Sequence, residues 1–195
     1  MKPCGVPEKR KAPFGAAMGI ASRGRKMTNS KMLAAVAAAI DEAGRLDVVI
    51  NAVGVVAFGP VEELSSDVME ELFLTNTFVP IMLAKAALGS IVDGGTIVNI
   101  SGVIAEQALP GMAAYAASKA ALRSFDDGLA REARRRRVRV IDARPPHTET
   151  GLAARPIAGQ APRMAAGLDP AAVAATICDA VVGDVTDLPS GAFSS

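Results

Sequence analysis

The sequence predicts a parallel α/β domain, and a few observations carry that prediction. Short apolar runs rich in β-branched residues, "LDVVIN", "GGTIVNIS" and "VRVIDA", suit strands buried on both faces. Longer segments with helical character separate them, and helices alternating with buried strands mean a parallel sheet with crossover helices. Half of the 195 residues are hydrophobic but only 4% are aromatic. Small aliphatic side chains must therefore build the core, which suits helices packed closely on a sheet.

Along the chain, residues 1–26 mix prolines and basic residues without a sustained period and are expected to be irregular, leaving 27–195 as the folded domain. Thr28, Asn29 or Ser30 can cap a helix that runs to about Ala43, with Gly44 as its stop. The strand "LDVVIN" follows. A long helical segment spans about 61–88, and Pro80 should kink or divide it. "GGTIVNIS" is a strand entered through glycines, residues 112–136 form a further helix, and 138–143 a third strand. A proline-rich turn leads into an irregular stretch. The last helix has Asp169 as N-cap, Pro170 in its first turn and Gly183 as its stop.

Charge and composition exclude several partners. The net charge is +1, so no overall field draws the chain to nucleic acid or to a membrane surface. The run "REARRRRVRV" (131–140) ends a helix, where cations favour the macrodipole, and no aromatic residues lie nearby to stack bases. It reads as a solvated helix end, with Arg137 in the C′ position. The apolar stretch around Val48 to Val61 is broken by Asn51, Gly54 and Gly59 and is too short to span a bilayer. The N-terminus lacks an apolar signal region, and Cys4 and Cys178 show no metal spacing. The expectation is a cytoplasmic chain with no metal, no nucleic acid and no membrane.

The single tyrosine, Tyr115, stands four places before Lys119 in "PGMAAYAASKAAL". On a helix these two share a face. They begin just after a loop leaving the C-terminal end of a strand, the rim where open α/β sheets bind ligands. A phenol titrating near ~10 is a poor acid or base at neutral pH, and a neighbouring ammonium lowers that value. By itself the pair also fits an ordinary helix with a half-exposed tyrosine and a solvated lysine.

"INAVG", "LTN", "GGTIVNISG", "PGMAAYAASKAAL" and "VRVIDARPPHTETG" occur in one order at mutually consistent distances. In this the chain resembles the short-chain dehydrogenase/reductase family, over roughly Thr28 to Phe193. The resemblance implies a Rossmann-type domain that transfers hydride between NAD(H) or NADP(H) and a small alcohol or carbonyl. It implies Tyr115 as acid/base, Lys119 as the group that lowers the tyrosine's pKa and holds the nicotinamide ribose, and Asn76 as an anchor of a proton-relay water. Asn51 and Gly54 match the turn bordering the adenosine side of the cofactor, although Ala52 and Val53 depart from it. Thr150 matches the threonine that meets the nicotinamide carboxamide; Pro145-Pro146 replaces the usual Pro-Gly before it. His147 reads as a loop residue or a substrate-side contact. The family also implies a homo-oligomer through the helices at about 61–88 and 112–136.

The chain departs from the pattern at two places. The family's serine, thirteen positions before the tyrosine, falls on Gly102; the neighbouring Ser101 could replace it only if the strand end twists, since successive strand residues face opposite ways. The family also opens with a strand and a Gly-rich turn that cradles pyrophosphate. The fifty residues before Asn51 are too few for it and the strands that follow it. Gly15, Gly19 and Ala21 echo that turn without its final glycine, and the choice between NAD and NADP is not readable. The fold is therefore expected to be N-terminally incomplete, with residues 14–22 covering the edge of the 47–51 strand or that edge left bare. A catalytically impaired member, acting at most through oligomerisation, is the alternative reading.

Overall fold

The computed structural model describes residues 44–193 together with Ala34, Ala37, Ala38, Asp41 and Glu42, which are helical. Those five belong to the helix expected before Gly44. Residues 1–26, and with them the proposed edge cover at 14–22, lie outside the described residues.

Four parallel strands form one sheet in the order β1-β2-β3-β4: β1 Leu46–Asn51, β2 Ile91–Ile100, β3 Arg139–Ala143 and β4 Asp187–Leu188. The short β4 gave no sequence signal. Neighbouring strands alternate in step. Ile97 and Val140 are paired in register and pack with Ala84, Ala87 and Leu129 on one face. Val98 and Ile141, also paired, pack with Val173, Ile177 and Phe193 on the other. Helices therefore cover both faces, which is why these strands read as continuous apolar runs. Among the described residues β1 pairs only with β2.

The long helical segment is divided just before Pro80 by a π-helical turn. Helix α1 (Ser66–Phe73), a π-helical turn (Leu74–Phe78) and helix α2 (Val79–Leu88) run on from one another, and a separate 3₁₀ turn occupies Val61–Glu63. Ser65 caps the start, its hydroxyl accepting from Val68 N–H at 3.3 Å. Proline has no N–H to donate to the carbonyl four residues back, which here is Asn76. The chain absorbs this by widening the preceding turn, where Val79 N–H reaches back to Leu74 O. By length and composition the 23 residues Ser66–Leu88 could cross a membrane. Here Leu72, Leu83, Ala84 and Ala87 bury one side of them in the core.

Helix α3 (Ala113–Glu132) continues as a 3₁₀ turn through Arg136, and helix α4 (Pro170–Val182) is capped by Asp169, whose carboxylate accepts from Ala172 N–H at 3.3 Å. Arg137 adopts φ 54°, the only positive φ outside glycine among the described residues, as expected for a C′ residue. The arginine run is more than a solvated end. Arg136 donates to Leu88 O at 2.5 Å, at the C-terminus of α2, and Arg139 donates to Gly183 O at 2.6 Å, at the C-terminus of α4. Both guanidinium groups thus satisfy carbonyls that a helix end leaves without partners.

Candidate active site

The C-terminal rim of the sheet, where β1 and β2 end and α3 begins, collects most of the candidate residues. β1 closes on Asn51, whose side chain takes Val53 N–H at 3.2 Å and donates to Asn99 Oδ1 at 3.0 Å. The chain then passes Gly54, and the absence of a side chain there matters. A methyl group at Gly54 would touch both Asn76 Oδ1 and Lys119 Nζ, each at 3.4 Å. The glycine thus lets the π-helical turn and α3 bring those two groups against one point of the β1 turn.

Asn76 is fully buried and grips Val55 by its backbone, Oδ1 accepting from the N–H at 2.9 Å and Nδ2 donating to the carbonyl at 3.0 Å. Its second amide hydrogen goes to Ser118 Oγ at 3.0 Å, and Thr77 donates to Ser118 O at 2.7 Å. Ser118 in turn donates to Tyr115 O at 2.7 Å. One serine therefore ties the π turn to the helix bearing both Tyr115 and Lys119. Widening that turn in α1–α2 and placing Asn76 inside it are one structural event.

Tyr115 is buried in an apolar cluster with Val56, Phe58, Ile104 and Ala116, roofed by Leu152, Ala153 and Ala158. Burial pushes its phenol up to about 12. The direction is opposite to the expected depression, and its cause is desolvation of the phenolate. Lys119 Nζ instead donates to Ile100 O at 2.8 Å. Burial lowers the ammonium to about 8, and the carboxylate of Asp142 opposes that shift.

The remaining candidates fare differently. Ser101 is buried and its hydroxyl hydrogen goes to Asp142. Gly102 has φ 85° and ψ 163°, a backbone that side-chain-bearing residues avoid. The loss of the serine is thus built into the main chain as well. Thr150 is exposed, and among the described residues no side-chain hydrogen bond links it to the site, its N–H meeting Thr148 O at 2.7 Å. His147 lies in the loop, with Nε2 3.4 Å from Glu149 Oε1.

Several polar residues here, Asn99, Asp126, Asp142 and Asp187, were not singled out by the sequence. Asn51, Asn99, Asp142 and Asp187 stand in register across all four strands. Asn99 donates to Asp126 of α3 at 2.5 Å, extending the chain from the β1 turn into the helix layer. Burial raises Asp126 to about 8, and its Oδ2 has no hydrogen-bond partner among the described residues. Arg144 sits between Asp142 at 2.6 Å, Asp187 at 2.7 Å and Glu106. These carboxylates are what permit a guanidinium to be buried.

A parallel sheet covered on both faces, with a tyrosine and a lysine one helical turn apart at its C-terminal rim, is a Rossmann-type architecture. The family model described as short chain dehydrogenase matches residues 18–160, and the chain belongs to that family. An uncharacterized oxidoreductase of Methylorubrum extorquens is 35% identical over 134 residues, 68% of this chain and 53% of the relative. Dehydrogenase/reductase SDR family member 7B of Danio rerio is 33% identical over 80% of this chain and 53% of its own length. The chain thus spans about half the length of the curated relatives it matches. Among solved structures, a short-chain dehydrogenase/reductase from Serratia marcescens superposes with a TM-score of 0.74 at 26% identity, over 86% of this chain and 74% of that one. A short chain dehydrogenase from Burkholderia cenocepacia, in complex with NADP, gives 0.73 at 25% identity over the same shares.

Proposed function

We propose that this chain belongs to an NAD(P)(H)-dependent oxidoreductase acting on a small alcohol or carbonyl, with Tyr115 as the acid/base and Lys119 as its electrostatic partner. One observation carries the reading: Gly54, Asn76 and Lys119 converge at the rim, with Tyr115 one turn along the same helix. The donor set suits the nicotinamide end of a dinucleotide. Lys119 uses one ammonium hydrogen on Ile100 O, which leaves donors for ribose hydroxyls. The cofactor supplies the hydride acceptor or donor when bound. The protein's own task is the proton: the Tyr115 hydroxyl gives one to a carbonyl oxygen, and in the reverse direction the Tyr115 phenolate takes one from an alcohol. Exposed Phe73 at the end of α1, with Leu74 and Phe78 of the π-helical turn, supports homo-oligomerisation through the helices at about 61–88 and 112–136.

The test is NADPH or NADH oxidation by the full chain with a panel of ketones and aldehydes. Turnover that disappears in Tyr115→Phe supports the assignment, and turnover unchanged in that variant removes it. A second reading, an impaired member that pairs with other subunits, is favoured by the backbone at Gly102 and the commitment of the Ser101 hydroxyl. Losing one preorganised donor to an oxyanion lowers rate by about 10²–10³. Calorimetry separates the readings, since micromolar binding of either dinucleotide rules out the second.

A further inference from the structure

We propose that Glu106 is a positioning residue for Tyr115: its carboxylate fastens the loop after β2, which packs Ile104 into the cluster around Tyr115, to Arg144 and to Ser190. The proposal rests on the role given to Tyr115 above. The loop opens at Gly102, whose φ of 85° turns the chain out of the strand. Val103 N–H then donates to Pro145 O at 3.0 Å, and a 3₁₀ turn (Val103–Ala105) buries Ile104 in one cluster with Tyr115, Val56 and Phe58. Glu106 follows directly and uses both of its oxygens. Oε1 accepts from Arg144 Nε, and Oε2 accepts from Ser190 Oγ at 2.7 Å, 84 positions away in the chain.

The anchor itself is well held. Arg144 is buried, its Nη1 meets Asp142 at 2.6 Å and Asp187 at 2.7 Å, and its N–H donates to Leu188 O at 2.9 Å. Strands β3 and β4 thus fix the guanidinium independently of Glu106. Two carboxylates remain on it when Glu106 is removed, so the buried cation is not left unpaired. Main-chain bonds at Gly102 and Val103 tie the loop down ahead of Ile104. Glu106 ties it down beyond Ile104, and the side chain is thereby pinned into the cluster from both sides. In this way the segment 187–190, far from Tyr115 in sequence, helps to keep water from the phenol.

The chain has one tyrosine and no tryptophan, so its tyrosine fluorescence reports on Tyr115 alone. Acrylamide quenching of that emission in the full chain measures how readily solutes reach the phenol. Glu106→Ala should raise the quenching rate constant about threefold or more. Glu106→Gln, which can keep both hydrogen bonds, should stay near wild type, and Ser190→Ala, which releases one of them, should fall between. Arg136→Ala is the control for general loosening. It loses bonds to Leu88 O and Ile91 O at the far end of the sheet and should quench as wild type does. Folding is checked by circular dichroism. Equal quenching in folded Glu106→Ala and wild type would overturn the proposal, as would an equal rise in Arg136→Ala. If Glu106→Ala does not fold, equal quenching in Ser190→Ala and wild type does so instead. The readout needs no turnover. An inactive wild type would remove the oxidoreductase reading and leave the quenching comparison standing, whereas unchanged quenching beside Tyr115-dependent turnover removes only the role of Glu106.

Discussion

Asn76 clamps the backbone of Val55 from both sides, accepting its N–H at 2.9 Å and donating to its carbonyl at 3.0 Å. A buried amide used this way acts like one rung of a sheet, locking a helix to the turn after β1. Asn76→Ala leaves both Val55 groups and Ser118 Oγ without that partner. The expected loss is roughly 2–3 kcal/mol of unfolding free energy. Urea titration monitored by far-ultraviolet circular dichroism measures it; a loss under half that size would mean that solvent replaces the clamp.

Asp126 makes stability depend on pH. Its carboxyl is raised from 3.8 to about 8 in the fold. Between those values the folded state keeps a proton the unfolded state has released, so stability falls by about 1.4 kcal/mol per pH unit as pH rises. The contribution is complete below the lower value and lost above the upper one. Lys119, lowered from 10.5 to about 8, acts oppositely, adding stability as pH climbs from there. Asp126→Asn should flatten the descent, giving a variant more stable than wild type near pH ~8 and similar in the acid range, read from urea midpoints across pH.

Restoring a serine at position 102 should cost stability. A Cβ there meets nothing closer than Pro145 O at 3.8 Å, so space is available. The backbone at φ 85° and ψ 163° is the obstacle. Gly102→Ser should lower stability by roughly 1–3 kcal/mol. Thermal unfolding tests this, and a neutral substitution would show that the turn readily changes its dihedral angles.

Gly159 controls the segment over Tyr115. Phe58 N–H donates to Ala158 O at 2.9 Å and Ile157 N–H to Val56 O at 2.8 Å, zipping the roof onto the strand-like residues after β1. A methyl at Gly159 would sit 1.9 Å from Phe58 O, with φ already at 69°. Gly159→Ala should break this zipper. Hydrogen exchange at the Phe58 and Ile157 amides should accelerate about tenfold or more, whereas exchange in β2 and β3 stays slow.

The fold was largely legible, because its signals are local. β-branched runs mark "VVIN", "TIVNI" and "VRVI", and Asp169, Pro170 and Gly183 bound α4 as their capping chemistry requires. The π turn was not legible, because a proline at position 80 signals trouble in a helix without saying whether the helix bends or widens. The two-residue β4 is too short to show a period. At the site, helical spacing put Tyr115 and Lys119 on one face, and the resemblance of five ordered motifs gave them their expected roles. Asn99, Ser118, Asp126 and Asp142 could be seen only as polar residues in apolar company.

The sequence by itself determined the kinship, through five motifs in a fixed order along the chain, and also the succession of strands and helices and the helix face shared by Tyr115 and Lys119, which depend on neighbours within a few residues. Only the tertiary structure decided what those side chains meet. Partners 40 or more positions apart, such as Asn76 with Ser118 and Ser101 with Asp142, have no trace in local spacing. Burial decided the rest, raising the phenol and lowering the ammonium, because desolvation is a property of the packed surroundings.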